Sequence, residues 1–227
     1  MMYLGDKAVG VVTSHSMPWN PFPFMESCYH MFYQTELPET VIIDFEGKCP
    51  MQGFDSAFRY STGWKNIIIK NLIMPDYGVT MWYMFCDTDN CETLTFENCR
   101  IRPSKASRAF TAGYDSLKRI NGVIDLTVCS DSDMFYFARK LEHFEIAPNS
   151  MLKTYSLKYA GNFDDNTLVS IANALNPESP TTVDLKNYTS RMQSMNGNIE
   201  DGMFILNESG DMSLDNFITT VKGWTIA

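Results

Sequence analysis

The chain has 227 residues, 44% of them hydrophobic, and a formal net charge of −9 with a pI near 4.8. That length and apolar content suffice for one sizeable core and do not demand a second domain. The acidic balance, with no visible basic patch, argues against a nucleic-acid partner and favours solubility or a cationic one.

No window approaches the run of about 18 apolar residues that a membrane span needs. Asp6 and Lys7 stand where a signal peptide would have its apolar centre, so neither secretion nor membrane insertion is expected. The six cysteines form no C-x-x-C pair. Without an export signal they are expected to be reduced and structural, and their spacing relative to His15, His30 and His143 does not suit zinc.

Residues 3–12 read as a short hairpin, with Gly5-Asp6 as its turn. Residues 17–24, MPWNPFPF, follow. Pro18, Pro21 and Pro23 disfavour regular pairing and leave Trp19, Phe22 and Phe24 on an extended arm. The arm is either a cap over the first repeat or a docking element for a partner.

A periodic region then runs from about residue 26 to 150. Small-or-Met residues followed by Phe end at Phe32, Phe58, Phe85, Phe110 and Phe135, with spacings of 26, 27, 25 and 25. Apolar residues recur at +6, +9 and +11 from the Phe: Trp64, Ile67 and Ile69, then Cys91, Leu94 and Phe96, then Leu141, Phe144 and Ile146. After Phe32 they are Leu37, Val41 and Ile43. After Phe110 they are Leu117 and Ile120, and Gly122 replaces the third. Each unit is expected to run as a short helix or turn ending in the Phe, a polar loop and a strand. The predicted strands are 41–45, 66–70, 93–97, 119–126 and 143–146.

Side chains alternate along a strand. The outward set is therefore Ile42 and Asp44, Ile68 and Lys70, Thr95 and Glu97, and Glu145. Stacked repeats would place these side by side, where such proteins usually bind. Further on, residues 166–175 carry Leu168, Ile171, Ala172 and Leu175 on one helical face. Residues 181–185 read as a strand. Residues 213–222 read as a helix with Ser213 as N-cap and Gly223 as stop, and residues 224–227 as a closing strand.

The segment Cys91, Leu94, Phe96, Cys99 fits the leucine-rich-repeat template L-x-x-L-x-L-x-x-N/C. Together with the Met-Phe units, LKRINGVIDL, DDNTLVSIANAL and the ending KGWTIA, it resembles the BspA-like leucine-rich-repeat proteins. The resemblance covers about residues 26–227. It implies an α/β solenoid with a parallel sheet on its concave face, short helices or turns outside, and a C-terminal cap at about 205–227. It specifies a fold rather than a function. Relatives include bacterial surface adhesins and bacteriophage proteins, and MMYLGDKAVGVV and GWTIA resemble phage structural proteins of gut bacteria, in which a short N-terminal segment docks to the particle.

The chain has no P-loop, H-E-x-x-H, G-x-S-x-G or G-x-G-x-x-G motif. The acidic run Asp87, Asp89, Asn90, Glu92 lacks the glycine and distal glutamate of a calcium loop. His30 is expected to be a satisfied structural histidine, and His143 to face outward. No catalytic residue, metal or cofactor is expected, and so no enzyme.

The expected function is that of a phage virion structural protein, in a tail-fibre or head-accessory role. It would attach through residues 1–25 to virion proteins or to a second copy of itself, and contact a host-surface protein or glycan. The alternative is a bacterial surface adhesin or interaction module. The expected location is the virion or, on the alternative, the bacterial cell surface.

Overall fold

Repeats of about 26 residues leave room for one strand and one turn each. The computed structural model describes residues 25–88, 90–111, 116–157 and 160–227. Its first strands are β1 (Thr40–Asp44), β2 (Asn66–Lys70), β3 (Val79–Thr80), β4 (Thr93–Glu97), β5 (Pro103–Lys105), β6 (Arg119–Ile124) and β7 (His143–Ile146). Five of them form one parallel sheet in the order β1, β2, β4, β6, β7. The chain is therefore a solenoid that adds one strand to this sheet per repeat, while β3 and β5 pair parallel in a second, short ladder.

The sheet forms where the sequence alternates. Val41 and Ile43, Ile67 and Ile69, and Leu94 and Phe96 point into the core, and β-branched residues suit the pleat. Register follows the repeat without slippage: Val41, Ile67 and Leu94 are successive partners, as are Ile43, Ile69 and Phe96. A one-residue slip would turn every one of these side chains to solvent.

β6 departs from the pattern. Its buried residues Ile120 and Ile124 are four apart instead of two, and its pairing with β7 shifts between Arg119 and Val123. Gly122 makes this possible. Its φ of +121° is open to glycine, and a Cβ there would lie 2.9 Å from the Cβ of Phe96. The strand expected to reach residue 126 ends at Ile124, which pairs with Ile146, the last residue of β7.

Opposite the sheet, the repeat phenylalanines stack in a line. Phe32, Phe58, Phe85, Phe110 and Phe135 are all buried, with successive ring centres 5.1, 5.2, 6.0 and 5.7 Å apart. Those separations lie in the favoured range for offset aromatic pairs.

The segments around these rings are turns, not helices. Their backbone N–H groups alternate between two kinds of partner. The amides of Met31, Tyr33 and Thr35 close turns onto the carbonyls of Cys28, His30 and Phe32. Those of His30, Phe32 and Gln34 donate across to Asp55, Ala57 and Arg59 of the next repeat. The same alternation recurs around Phe58 and Phe85. It holds the residues two before and two after the Phe in left-handed backbone: His30 and Gln34, Ser56 and Tyr60, Tyr83 and Asp87. Turn and ladder together satisfy donors that a buried irregular segment would leave unpaired. His30, expected as a satisfied structural histidine, is thereby turned out: it is exposed, with its ring between those of Tyr29 and Tyr33.

After β7 the next layer is the helix α1 (Asp165–Ala174). Asp164 caps it by accepting from the Thr167 amide at 2.8 Å, and Leu168, Ile171, Ala172 and the following Leu175 are buried as the helical spacing predicts. Next come β8 (Thr182–Val183), a 3₁₀ turn Lys186–Tyr188 and the short helix α2 (Thr189–Ser194). The antiparallel strands β9 (Asn196–Glu200), β10 (Met203–Leu206) and β11 (Met212–Ser213) form a small separate sheet that the sequence reading missed. α3 (Leu214–Asn216) runs on into a π-turn, Phe217–Val221. The Ser213 hydroxyl donates to Asp215 instead of capping an amide. β12 (Thr225–Ile226) pairs parallel with β8, and Trp224 is buried with its indole N–H on the Asn176 carbonyl at 2.9 Å.

Candidate functional site

The outward side chains of the main sheet stand in rows. Ile42, Ile68, Thr95 and Asn121 are successive partners across β1, β2, β4 and β6, and the Asn121 amide donates to the Thr95 hydroxyl at 3.1 Å. Asp44, Lys70 and Glu97 form the next row. Within it Lys70 pairs with Glu97 at 2.7 Å, and Asp44 accepts from Asn71 at 2.9 Å. Glu145 is exposed at the β7 end, opposite Val123. The alternation thus brings Ile42, Ile68, Thr95, Asp44, Lys70, Glu97 and Glu145 to one face, as an isoleucine strip beside a net acidic row in which Lys70 offsets Glu97 alone. Trp19, Phe22 and Phe24, with the rest of the arm and hairpin, lie outside the described residues.

His143 does not face solvent as expected. It is on the outer side of β7 but only 8% exposed, because Asp164 at the start of α1 covers it. Its Nδ1 lies 2.9 Å from Asp164 and its Nε2 lies 3.6 Å from Glu145. Partial burial works against the Asp164 carboxylate, yet hydrogen bonds from Thr167 and His143 hold it below the ordinary range. This cluster anchors the helix onto the sheet.

The acidic run is divided among cations. Asp87 pairs with Arg59 at 3.3 Å and Glu92 with Lys118 at 3.0 Å, while Asp89 is outside the described residues. No group of three or more His, Cys, Asp or Glu among the described residues is placed to hold a metal. All six cysteines are free. Burial pushes the Cys28, Cys49 and Cys86 thiols up to about 12, which leaves them protonated and poorly nucleophilic. Among the described residues no helix is long and apolar enough to cross a membrane.

A second candidate lies on the turn side. A cleft of about 350 Å³ opens between Trp82 and Tyr83 of one repeat, Ser107 of the next, and the segment Ser130 to Asp133 of the one after. The inter-repeat ladder builds it. Tyr83 donates its amide to the Ser107 carbonyl at 3.0 Å, and Arg108 donates to the Asp133 carbonyl at 3.3 Å. Asp131 is its hub: one carboxylate oxygen accepts from the Ala106 and Ser107 amides at 2.7 and 2.9 Å and from the Trp82 indole N–H at 2.7 Å. Asp133 accepts from the Ser107 hydroxyl at 2.9 Å. Lys105 places its ammonium 5.0 Å from the Trp82 ring centre.

Sequence reasoning missed this cleft, because none of its residues forms a motif. The signal was positional. Trp82-Tyr83, Ser107-Arg108 and Ser132-Asp133 occupy the third and second places before Phe85, Phe110 and Phe135. Aligned repeats would have set them side by side.

Comparison of the chain with protein-family models, with curated proteins and with solved structures finds no match.

Proposed function

We propose that this protein is a non-enzymatic binding solenoid of the leucine-rich-repeat type, with its main sheet on the concave face, carried on a phage particle as a virion structural protein. The observation that carries the reading is the register of the sheet. Ile42, Ile68 and Thr95 fall in one row and Asp44, Lys70 and Glu97 in the next, so successive repeats build one continuous surface. A binder needs such a surface, with an apolar strip and a polar surround. Its Lys70–Glu97 pair favours recognition over proton transfer, since a carboxylate held by an ammonium is a poor general base.

Attachment belongs to residues 1–25 on this reading. Trp19, Phe22 and Phe24 offer more apolar side chain than a small solenoid end needs, and burying one such ring against a partner contributes about 1.5–3 kcal/mol. The partner is a virion protein or a second copy of the chain. The test is mass spectrometry of gradient-purified particles from a host carrying the gene. Recovery of the intact chain with the particles, and its loss when residues 1–25 are deleted from a still-folded protein, is the expected result. Recovery only from the cell envelope would overturn it in favour of a surface adhesin.

A further inference from the structure

We propose that the Trp82 cleft binds a neutral saccharide. The inference deepens the display reading by giving it a ligand class, but it is tested by binding alone.

The argument begins with the indole. Trp64 and Trp224 are 0% and 1% exposed and serve the core, whereas Trp82 is 40% exposed. An exposed tryptophan normally loses rotamer freedom when a ligand stacks on it. Trp82 has already lost much of it: Asp131 holds its N–H at 2.7 Å, and the Ala106 and Ser107 amides fix Asp131 in turn. Its own amide donates to Asp55 at 2.9 Å. A platform fixed in this way binds with little ordering cost. The backbone ladder holds it from below, so the site rests on the rigid part of the fold.

The chemistry around it selects the ligand. The face of an indole is electron-rich and attracts partly positive C–H groups, such as those on one side of a pyranose ring. The Ser107 and Ser130 hydroxyls already donate, to Asp133 and to the Ser104 carbonyl, and so offer acceptors, as do Asp131 and Asp133, while the Ser132 hydroxyl can both donate and accept. A sugar carries hydroxyls that suit both. An anion would face the two carboxylates. A cation would be repelled by the Lys105 ammonium, which lies over one face of the indole, whereas a neutral ring would stack on the other. A neutral polyol with an apolar face fits what remains, and a cleft of about 350 Å³ is in the size range of small-molecule sites.

The experiment is titration of the full chain with a panel of neutral and N-acetylated hexose oligosaccharides up to about 10 mM, followed by calorimetry and by the indole N–H resonances in NMR. At least one sugar should bind saturably and shift the Trp82 indole signal. Trp82→Ala should weaken that sugar at least about tenfold. If Trp82→Ala does not fold, Ser132→Ala, on the exposed lip, should weaken the same sugar measurably while the wild-type indole shift locates the site. Absence of saturable binding across the panel would overturn the proposal. So would binding that leaves the Trp82 signal unmoved, or binding of a lysine-rich peptide at the same indole in place of any sugar. Failure of particle incorporation would leave sugar binding intact, so the two readings fail separately.

Discussion

The backbone N–H of Ile146 donates to the Ser170 hydroxyl at 2.8 Å. Two residues earlier Phe144 does the same to the Thr167 hydroxyl at 3.1 Å. β7 is the last strand of the main sheet, and α1 follows where another strand would have continued it. A parallel strand without a neighbour leaves its amides unpaired, and such an edge invites pairing with another chain. Here two hydroxyls on one face of the helix stand in for the missing carbonyls.

Removing them therefore tests how the sheet is ended. Ser170→Ala and Thr167→Val each leave a buried amide without a partner, which costs about 1–3 kcal/mol. Urea unfolding should show both losses, with the midpoint falling and the slope unchanged. A pair of neutral variants would mean that water serves the edge equally well.

The phenylalanine column is tested by Phe85→Ala. Phe85 is fully buried between Phe58 and Phe110, at 5.2 and 6.0 Å. Truncating a buried aromatic costs about 3–5 kcal/mol, from lost transfer energy and the cavity left behind. The same denaturation experiment reads this. A loss below about 1 kcal/mol would show that neighbouring repeats collapse into the gap.

How much of this was legible in the sequence depends on what fixes each part. The strands were legible because inward slots must be apolar: Ile67 and Ile69, or Leu94 and Phe96, have no other tolerable direction. The turns were not, because their left-handed positions hold His30, Gln34, Ser56, Tyr60, Tyr83 and Asp87 instead of glycine. That conformation is imposed by the ladder to the next repeat, which no local residue announces. The hairpin of β9 and β10 is a different case. Asp201-Gly202, with φ of +50° and +75°, is a strong local turn signal that the sequence carries in plain view. His143 was misplaced because alternation gives the side of the sheet, while burial came from a helix 21 residues on. The Trp82 cleft is assembled from three repeats, so only an alignment of the repeats would have revealed it.

Buried thiols give the fold an alkaline limit. Burial pushes Cys28 up to about 12, with a smaller push from Cys49, and pushes Cys86 up to about 12, with Asp87 adding to it. Unfolded thiols titrate near 9. Below pH 9 both states hold the proton and the contribution is fully present. Between about 9 and 12 the unfolded chain releases protons that the folded chain keeps, so stability falls by about 1.4 kcal/mol per pH unit for each such thiol. Urea unfolding under reductant from pH 8 to 10.5 should show this decline. In Cys28→Ala it should be shallower by about one thiol's share, and an unchanged slope would contradict the assignment.

Lys222 acts in the opposite direction. It is only 2% exposed, and its ammonium meets neutral groups: the Asn149 amide oxygen at 2.6 Å, the Asn173 carbonyl at 3.3 Å and the Phe217 ring at 5.5 Å from its centre. Desolvation lowers its pKa from the ordinary 10.5. In the window between the lowered folded value and 10.5 the unfolded chain binds the proton more readily, so the lysine's contribution improves as pH rises and is lost as pH falls. Lys222→Met removes that dependence while keeping most of the volume. The stability of wild type minus that of Lys222→Met should therefore rise with pH from neutral towards 10.5, by urea unfolding of the two proteins side by side. The buried thiols are common to both and cancel in the difference. A difference that stays flat would mean that Lys222 titrates alike in the folded and unfolded chains, and that Asn149 and Asn173 solvate its charge as well as water does.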